Sequence, residues 1–295
     1  MLGVTLGLLA DRFLGEPPVP GHLHPVALFG AAMTRAETTL YRDTRPAGLA
    51  YATTGIAAGV AVGRLVPSSV ATWVAVSGRM LGATALDIGA HLERNDLDAA
   101  RRALPTLVGR DPAGLDEGEI TRAVVESVAE NTVDAVVAPV LWAAVAGGAG
   151  ALGYRAVDTL DSMVGYRSPR YERFGWAAAR ADDVAAWVPA LVTVALVAAV
   201  RPRRARHVLS AVCRQAPAHP SPNAGVAEAA FAAALGVRLG GANRYGDRVE
   251  IRPTLGAGPR PGVEDIRRAV RLSADVGLAL AAGLAAAGAA RGRRH

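Results

Sequence analysis

Five apolar stretches rich in alanine and glycine constrain this chain more than any motif it carries: Gly48 to Val66, Val70 to Ala90, Val133 to Leu152, Val184 to Val200 and Ser273 to Ala290. Each approaches the ~20 residues that cross a hydrocarbon core of about 30 Å. Buried helices of a soluble all-α protein would share the alanine content. A chain that is 51% hydrophobic with a mean hydropathy of +0.24 is nevertheless too apolar for an ordinary soluble enzyme. The expected fold is therefore all-α: a multi-pass membrane helical protein with amphipathic cytoplasmic helices. One integral-membrane domain over 1–295 is expected, with apolar helices near 48–66, 70–90, 133–152, 184–200 and 273–290. Motif-bearing polar regions fall at 92–132 and 153–183, and a further polar segment at 201–272. RPRRARH (Arg201 to His207) and the closing RGRRH are expected in the cytoplasm by the positive-inside rule.

All 32 basic residues are arginine. With no lysine there is no Schiff-base chemistry and no Walker A nucleotide site. The net charge of +6 does not point to nucleic acid, because the arginines are scattered between apolar segments and aromatics are only 5%. Cys213 is the single cysteine, which excludes a disulfide framework and a cysteine zinc site. The opening MLGVTLGLLADRFLG lacks a basic n-region and is expected to remain as the first helix.

The polar region before the third stretch has clear helical grammar. Asn95 or Asp96 can cap a helix through about Val108, and GRDPAGLDEG reads as a loop. Asp116 followed by Glu119 is a capping-box pattern, with Leu115 and Ile120 as the accompanying staple, so a helix starts near Glu117. On its wheel Glu119, Arg122, Glu126, Glu130 and Asp134 share an arc of about 120°, opposite Ile120, Val124 and Val128. A solvated face with Arg122 and Glu126 as an i,i+4 pair would look the same. Asp134 argues for more, since it stands inside the start of an apolar stretch, where a carboxylate needs a partner, a cation or a polar cavity.

Beyond the third stretch, Tyr154 to Pro189 mixes aspartates, arginines and aromatics too densely for a connector. It reads either as a juxtamembrane belt or as a site where carboxylates hold a divalent cation and arginines hold phosphate. Ser221, Pro222 and Asn223 open a helix that Gly236 stops, and such a start can bind an anion. RYGDRVEIRPTLG suggests a small irregular or hairpin segment near 237–256, and GVEDIRRAV begins the final amphipathic helix.

DRFLGEPP, HPV, GRD at Gly109 to Asp111, RAVVESVAENTVDAVVAPVLW, YRAVDTLDSMVGYRSPRYERFGWAAARADD, SPNAG and RLGGANRYG stand in an order and spacing that resemble the CobD/CbiB family of cobalamin biosynthesis, the adenosylcobinamide-phosphate synthases. The resemblance covers almost the whole chain. It implies a multi-pass inner-membrane enzyme of the late corrinoid pathway, with its site facing the cytoplasm. The implied reaction joins aminopropanol, as its O-phosphate or free, to the propionate carboxyl of adenosylcobyric acid by ATP-dependent amide formation, with magnesium expected. Other corrinoid-pathway membrane enzymes are candidate partners, and the lipid bilayer is the implied setting. The chain departs from the family pattern at Pro112, Asp158, Ala186 and Leu191, where threonine, asparagine, asparagine and arginine are usual.

Amide formation needs an activated carboxyl, a screened phosphate and a base for the ammonium. The metal candidates are Glu126, Glu130, Asp134, Asp161, Asp182 and Asp183, of which Glu126, Glu130 and Asp134 are also the catalytic candidates, with Glu130 as base. Arg167, Arg170 and Arg180, helped by Ser221 and Asn223, are the phosphate-binding candidates. A full crossing by Val133 to Leu152 would put the acidic helix and the arginine-rich loop on opposite sides. Pro139, Gly147, Gly148 and Gly150 instead predict a broken or re-entrant helix. An ion-coupled transporter and a non-catalytic scaffold for corrinoid enzymes are the competing classes.

Overall fold

The computed structural model describes residues 1–109, 111–166, 168–245 and 248–292. In chain order its α-helices are α1 (Leu2–Leu14), α2 (Pro25–Leu40), α3 (Arg45–Leu65), α4 (Ser68–Ala75), α5 (Gly78–Glu93), α6 (Leu97–Ala103), α7 (Glu117–Thr132), α8 (Ala138–Leu160), α9 (Trp176–Val200), α10 (Ala205–Gln215), α11 (Ala224–Leu235) and α12 (Glu264–Gly292). Strands β1 (Leu239–Tyr245) and β2 (Arg248–Leu255) form the antiparallel hairpin expected near 237–256. The fold is all-α with four helical runs long and apolar enough to cross a membrane among the described residues: Arg45–Leu65, Glu117–Gly165, Trp176–Val200 and Glu264–Arg291. Large apolar side chains stand exposed on them, among them Leu65, Val145, Val184 and Trp187, as lipid-facing surfaces require.

Where the sequence drew one domain, the chain divides into two compact units, each assembled from separate stretches: Met1–Ser77, Asp134–Pro189 and Ala281–His295 in the first, Gly78–Val133 and Ala190–Leu280 in the second. In the first, α3 presents Gly55, Gly59 and Gly63 to α8. A Cβ on Gly63 would lie 2.2 Å from the Gly148 carbonyl oxygen, and one on Gly59 would lie 2.7 Å from that of Leu152. In lipid, apolar burial does not drive helix association, so this close approach of small residues supplies the van der Waals attraction. Beyond the pair, Tyr51, Phe174, Met33 and Leu160 form an apolar cluster with Val164 and Ala178.

The predicted break in α8 is a reversal. Ala146 and Gly147 leave helical geometry, Gly147 at φ 62°, a left-handed conformation that suits glycine. After it, a Cβ on Gly150 would lie 1.9 Å from the Trp142 carbonyl oxygen. Eight residues of straight helix would hold these about 12 Å apart. The segment is thus a helical hairpin whose tip packs on Gly63 and Val66 and whose returning arm brings Leu160 beside Gly55. With Cys213 replaced by serine, cysteines at Arg64 and Val145 should label from the membrane face opposite a cysteine at Glu172. A straight crossing would leave Val145 in mid-bilayer and unlabelled from either face.

One expected span is corrected. Val70 to Ala90 is divided between α4 and α5 at Val76 and Ser77, so neither piece reaches across a bilayer. The cause is distant in sequence: the last carbonyl of α4, Ala75, accepts from Nε and Nη2 of Arg155, while the Ser77 N–H donates to Ala135.

The second unit begins its main helix as predicted. Asp116 caps α7 by accepting from the Glu119 N–H at 2.7 Å, and Glu119 returns a carboxylate to the Asp116 N–H at 2.9 Å. Gly236 ends α11 in the left-handed conformation, and Phe231, Ile120, Ile88, Ile266 and Leu272 are fully buried. Gly240, at φ 86°, sits at the irregularity between Leu239 and Gly241 in the hairpin, where a Cβ would lie 2.0 Å from the Pro253 carbonyl oxygen.

Candidate functional site

In the first unit the motif acids are carried by two single π-helical turns, Val133–Val137 with Asp134 and Asp161–Gly165 with Asp161. Such turns cost hydrogen-bond quality, and in other proteins they mark functional positions. Both stand at the mouth of the hairpin. Tyr154 on the returning arm donates its hydroxyl to Asp134 at 3.1 Å, and the carboxylates of Asp134, Asp182 and Asp158 all lie within electrostatic range of that hydroxyl. Gly165 makes room for Asp161, whose Oδ1 occupies the space 1.8 Å from where a Cβ would be. Asp158 holds Arg155 at 2.7 Å, which turns that arginine onto Ala75.

Arg170 is tied into the fold. Its Nε and Nη2 donate to Oε1 of buried Glu37 at 3.2 and 2.8 Å, and the Tyr171 hydroxyl donates to the same oxygen at 3.0 Å. Its guanidinium lies 4.2 Å above the Tyr41 ring, and the Tyr41 hydroxyl donates to its carbonyl. Burial raises the Tyr171 phenol above its ordinary pKa and keeps it a donor. Two of the nitrogens predicted to grip phosphate therefore anchor the loop to α2. Arg180 pairs with Asp183 at 3.0 Å, and Arg167 lies outside the described residues.

In the second unit the acidic stripe of α7 is buried at Glu126. Glu126 is 3% exposed, and its Oε1 accepts from Arg122 at 3.2 Å and from the Gly240 N–H at 2.8 Å. Arg122 also donates to the Ala242 carbonyl at 2.7 Å, so the pair pins β1 to α7. Glu130 is exposed. The helix start at Ser221 and Asn223 is capped from within: Ser221 Oγ accepts from the Ala224 N–H, its carbonyl accepts from the Gly225 N–H, and Asn223 is buried. Two of the N–H groups expected to face an anion are thus engaged by Ser221.

Beside it His219 is enclosed by Arg252 Nη1 at 2.9 Å, Glu228 at 3.9 Å and the Ser221 backbone. An arginine only donates, so Nε2 is the acceptor and Nδ1–H donates to the Ser221 carbonyl at 3.0 Å. Burial is the chief cause lowering the His219 pKa; Arg252 adds to it, while the Ser221 bond, Glu126 and Glu250 oppose it. The folded state thus binds fewer protons than the unfolded one as pH falls below about 6.5, the ordinary histidine value. Stability should be full above that pH and fall below it. Denaturant midpoints across pH 7.5 to 5 should show a shallower decline for His219→Gln.

Among the described residues, no group of three or more His, Cys, Asp or Glu is placed to hold a metal ion. Sequence reasoning did not find Tyr154, Glu37 or the role of Gly165. Tyr154 had a signal, falling seven residues before Asp161 on one helix face; Glu37 had none.

The model of the family described as CobD/Cbib protein matches residues 4–273. The chain belongs to the CobD/CbiB family. Its similarity to CobD/CbiB members spans nearly full length. The cobalamin biosynthesis protein CobD of Mycobacterium tuberculosis is 51% identical over 286 residues, covering 92% of this chain and 90% of that one. The CobD of Rhodobacter capsulatus is 40% identical over 306 residues, covering 97% and 96%, and that of Geobacter metallireducens is 40% identical over 279 residues, covering 88% and 87%. No solved structure matches the chain significantly. Within the CobD/CbiB pattern, the departing Ala186 is fully buried on α9 and Leu191 is an exposed apolar residue there, a placement compatible with lipid.

Proposed function

We propose that this chain is an ATP-dependent amide-forming ligase that joins aminopropanol O-phosphate to the propionate carboxyl of adenosylcobyric acid, giving adenosylcobinamide phosphate. Its place in late cobalamin biosynthesis follows from family membership. The observation that carries the ligase reading is the hairpin mouth, where Asp134 and Asp161 are held on π turns with Tyr154 and Asp182 beside them.

The propionate oxygen attacks the terminal phosphorus of ATP, releasing ADP and leaving an acyl phosphate. The amine nitrogen then attacks the acyl carbon, and phosphate leaves as the amide forms. A carboxylate not bound to metal takes the ammonium proton. Asp134 and Asp161 are oxygen donors suited to magnesium, which is commonly bound through one or two carboxylates completed by substrate phosphates and water, so no cage of three acids is required. Bound there, it would screen phosphate charge. Tyr154 fixes the Asp134 carboxylate by donating its hydroxyl to Oδ1. The setting is the inner cell membrane with the mouth open to the cytoplasm, where ATP and corrinoid are present.

The test is an assay with purified protein, adenosylcobyric acid, aminopropanol phosphate, ATP and magnesium. The expected result is amide product with one ADP per bond formed. Folded protein that yields no amide, or forms it equally well without nucleotide, overturns the reading.

A further inference from the structure

Among the described residues α9 is the most apolar of the four membrane-length runs, and it ends at Val200. The chain then makes one 3₁₀ turn, Pro202–Arg204, and enters α10 directly. At about 2 Å of rise per residue, Arg203 stands about 6 Å beyond the end of the span, within the headgroup layer. From Val184 through Ala227 the chain carries five arginines, Arg201, Arg203, Arg204, Arg206 and Arg214, and no acidic residue.

The fold uses two of the five. Arg201 donates to Asp275 at 2.8 Å, and Arg204 lies against the end of α11, where a Cβ on Gly236 would be 3.2 Å from its Nη2. α10 turns the others outward. Its buried residues are Val208 and Ala211, and the opposite arc of the helix carries Arg206, Leu209, Cys213 and Arg214, all exposed. Arg203, on the turn before them, is exposed as well.

Exposed arginines occur elsewhere in this unit, so exposure alone does not set these three apart. Their placement does. They directly follow a span, two of them flank an exposed leucine on one helix face, and no carboxylate in their own stretch offsets their charge. A short amphipathic helix that joins a basic face to an apolar side chain at the edge of a bilayer suits a surface of anionic headgroups. The bilayer is already at hand, because α9 ends in it.

We propose that the exposed face of α10 is a membrane-surface contact selective for anionic phospholipid. Arg203, Arg206 and Arg214 meet headgroup phosphates, and Leu209 reaches the acyl boundary.

Cys213, the single cysteine, stands on this face and can carry the probe. A nitroxide attached there, on the full chain in nanodiscs, reads depth from its collisions with oxygen relative to those with a water-soluble nickel complex. In nanodiscs containing phosphatidylglycerol the label should sit deeper by about 5 Å or more than in phosphatidylcholine alone, and added salt should draw it back. Arg203→Gln with Arg206→Gln and Arg214→Gln should abolish the difference between the two lipids. Equal depth in both lipids for the wild-type chain overturns the proposal without any variant, and a label in water in both would leave this face to an acidic protein partner. A folded triple variant that keeps the full lipid-dependent shift overturns it too.

Discussion

Glu126→Ala should destabilise the protein by about 3–5 kcal/mol, the cost of removing one member of a buried ion pair. The side chains of Glu126 and Arg122 are 4% and 11% exposed, so the arginine left behind cannot regain its hydration without opening the structure. The Gly240 N–H loses its acceptor in the same step. Glu126→Gln retains that acceptor and should cost less, about 1–3 kcal/mol. Combining Arg122→Leu with Glu126→Gln should recover much of the loss, because the uncompensated charge is gone. Thermal unfolding in detergent reads all three. An alanine variant as stable as wild type but inactive would instead return Glu126 to the catalytic role that its place on the helix wheel suggested.

That reversal shows where sequence reasoning reached and where it stopped. The capping box at Asp116 and Glu119 and the glycine stop at Gly236 are set by neighbours within a few residues, and both were legible. So was the break at Gly147, because a glycine-rich helix interior is locally weak. What the wheel could not supply was the partner: β1 lies 114 residues from Glu126, and its arrival turns an acidic stripe inward. The split between α4 and α5 is of the same kind, since Arg155, 80 residues away, takes the carbonyl that would have continued the helix.

The candidate site divides along the same line. Asp134 was legible because a carboxylate inside the start of an apolar stretch is costly without a reason, and Asp161 because it stands in a segment dense in acids, arginines and aromatics. The π turns were not legible, because packing rather than local propensity stabilises the extra residue in each. The partner of Arg170 was not legible from its type: a guanidinium among aromatics suits phosphate, and it equally suits Glu37 on another helix.

Gly165→Ala isolates what the second π turn contributes. The backbone at Gly165 is not in the left-handed region, so alanine meets no conformational penalty. The added methyl would fall 1.8 Å from Asp161 Oδ1 and 2.7 Å from its Cγ, while the next nearest atom, at 3.4 Å, belongs to the same side chain. Only the Asp161 carboxylate has to move. The fold should hold its melting temperature within a few degrees, because the better helix propensity of alanine offsets a small repacking cost. Activity should fall by about 100-fold in kcat, the loss expected when a reacting geometry is displaced by about 1 Å. Asp161→Asn should match that loss with Gly165 intact, and the double variant should be no worse than either alone, since both act on one carboxylate. Full activity in Gly165→Ala would mean that the orientation of Asp161 is not used, and would turn attention to Asp134 and its Tyr154 partner.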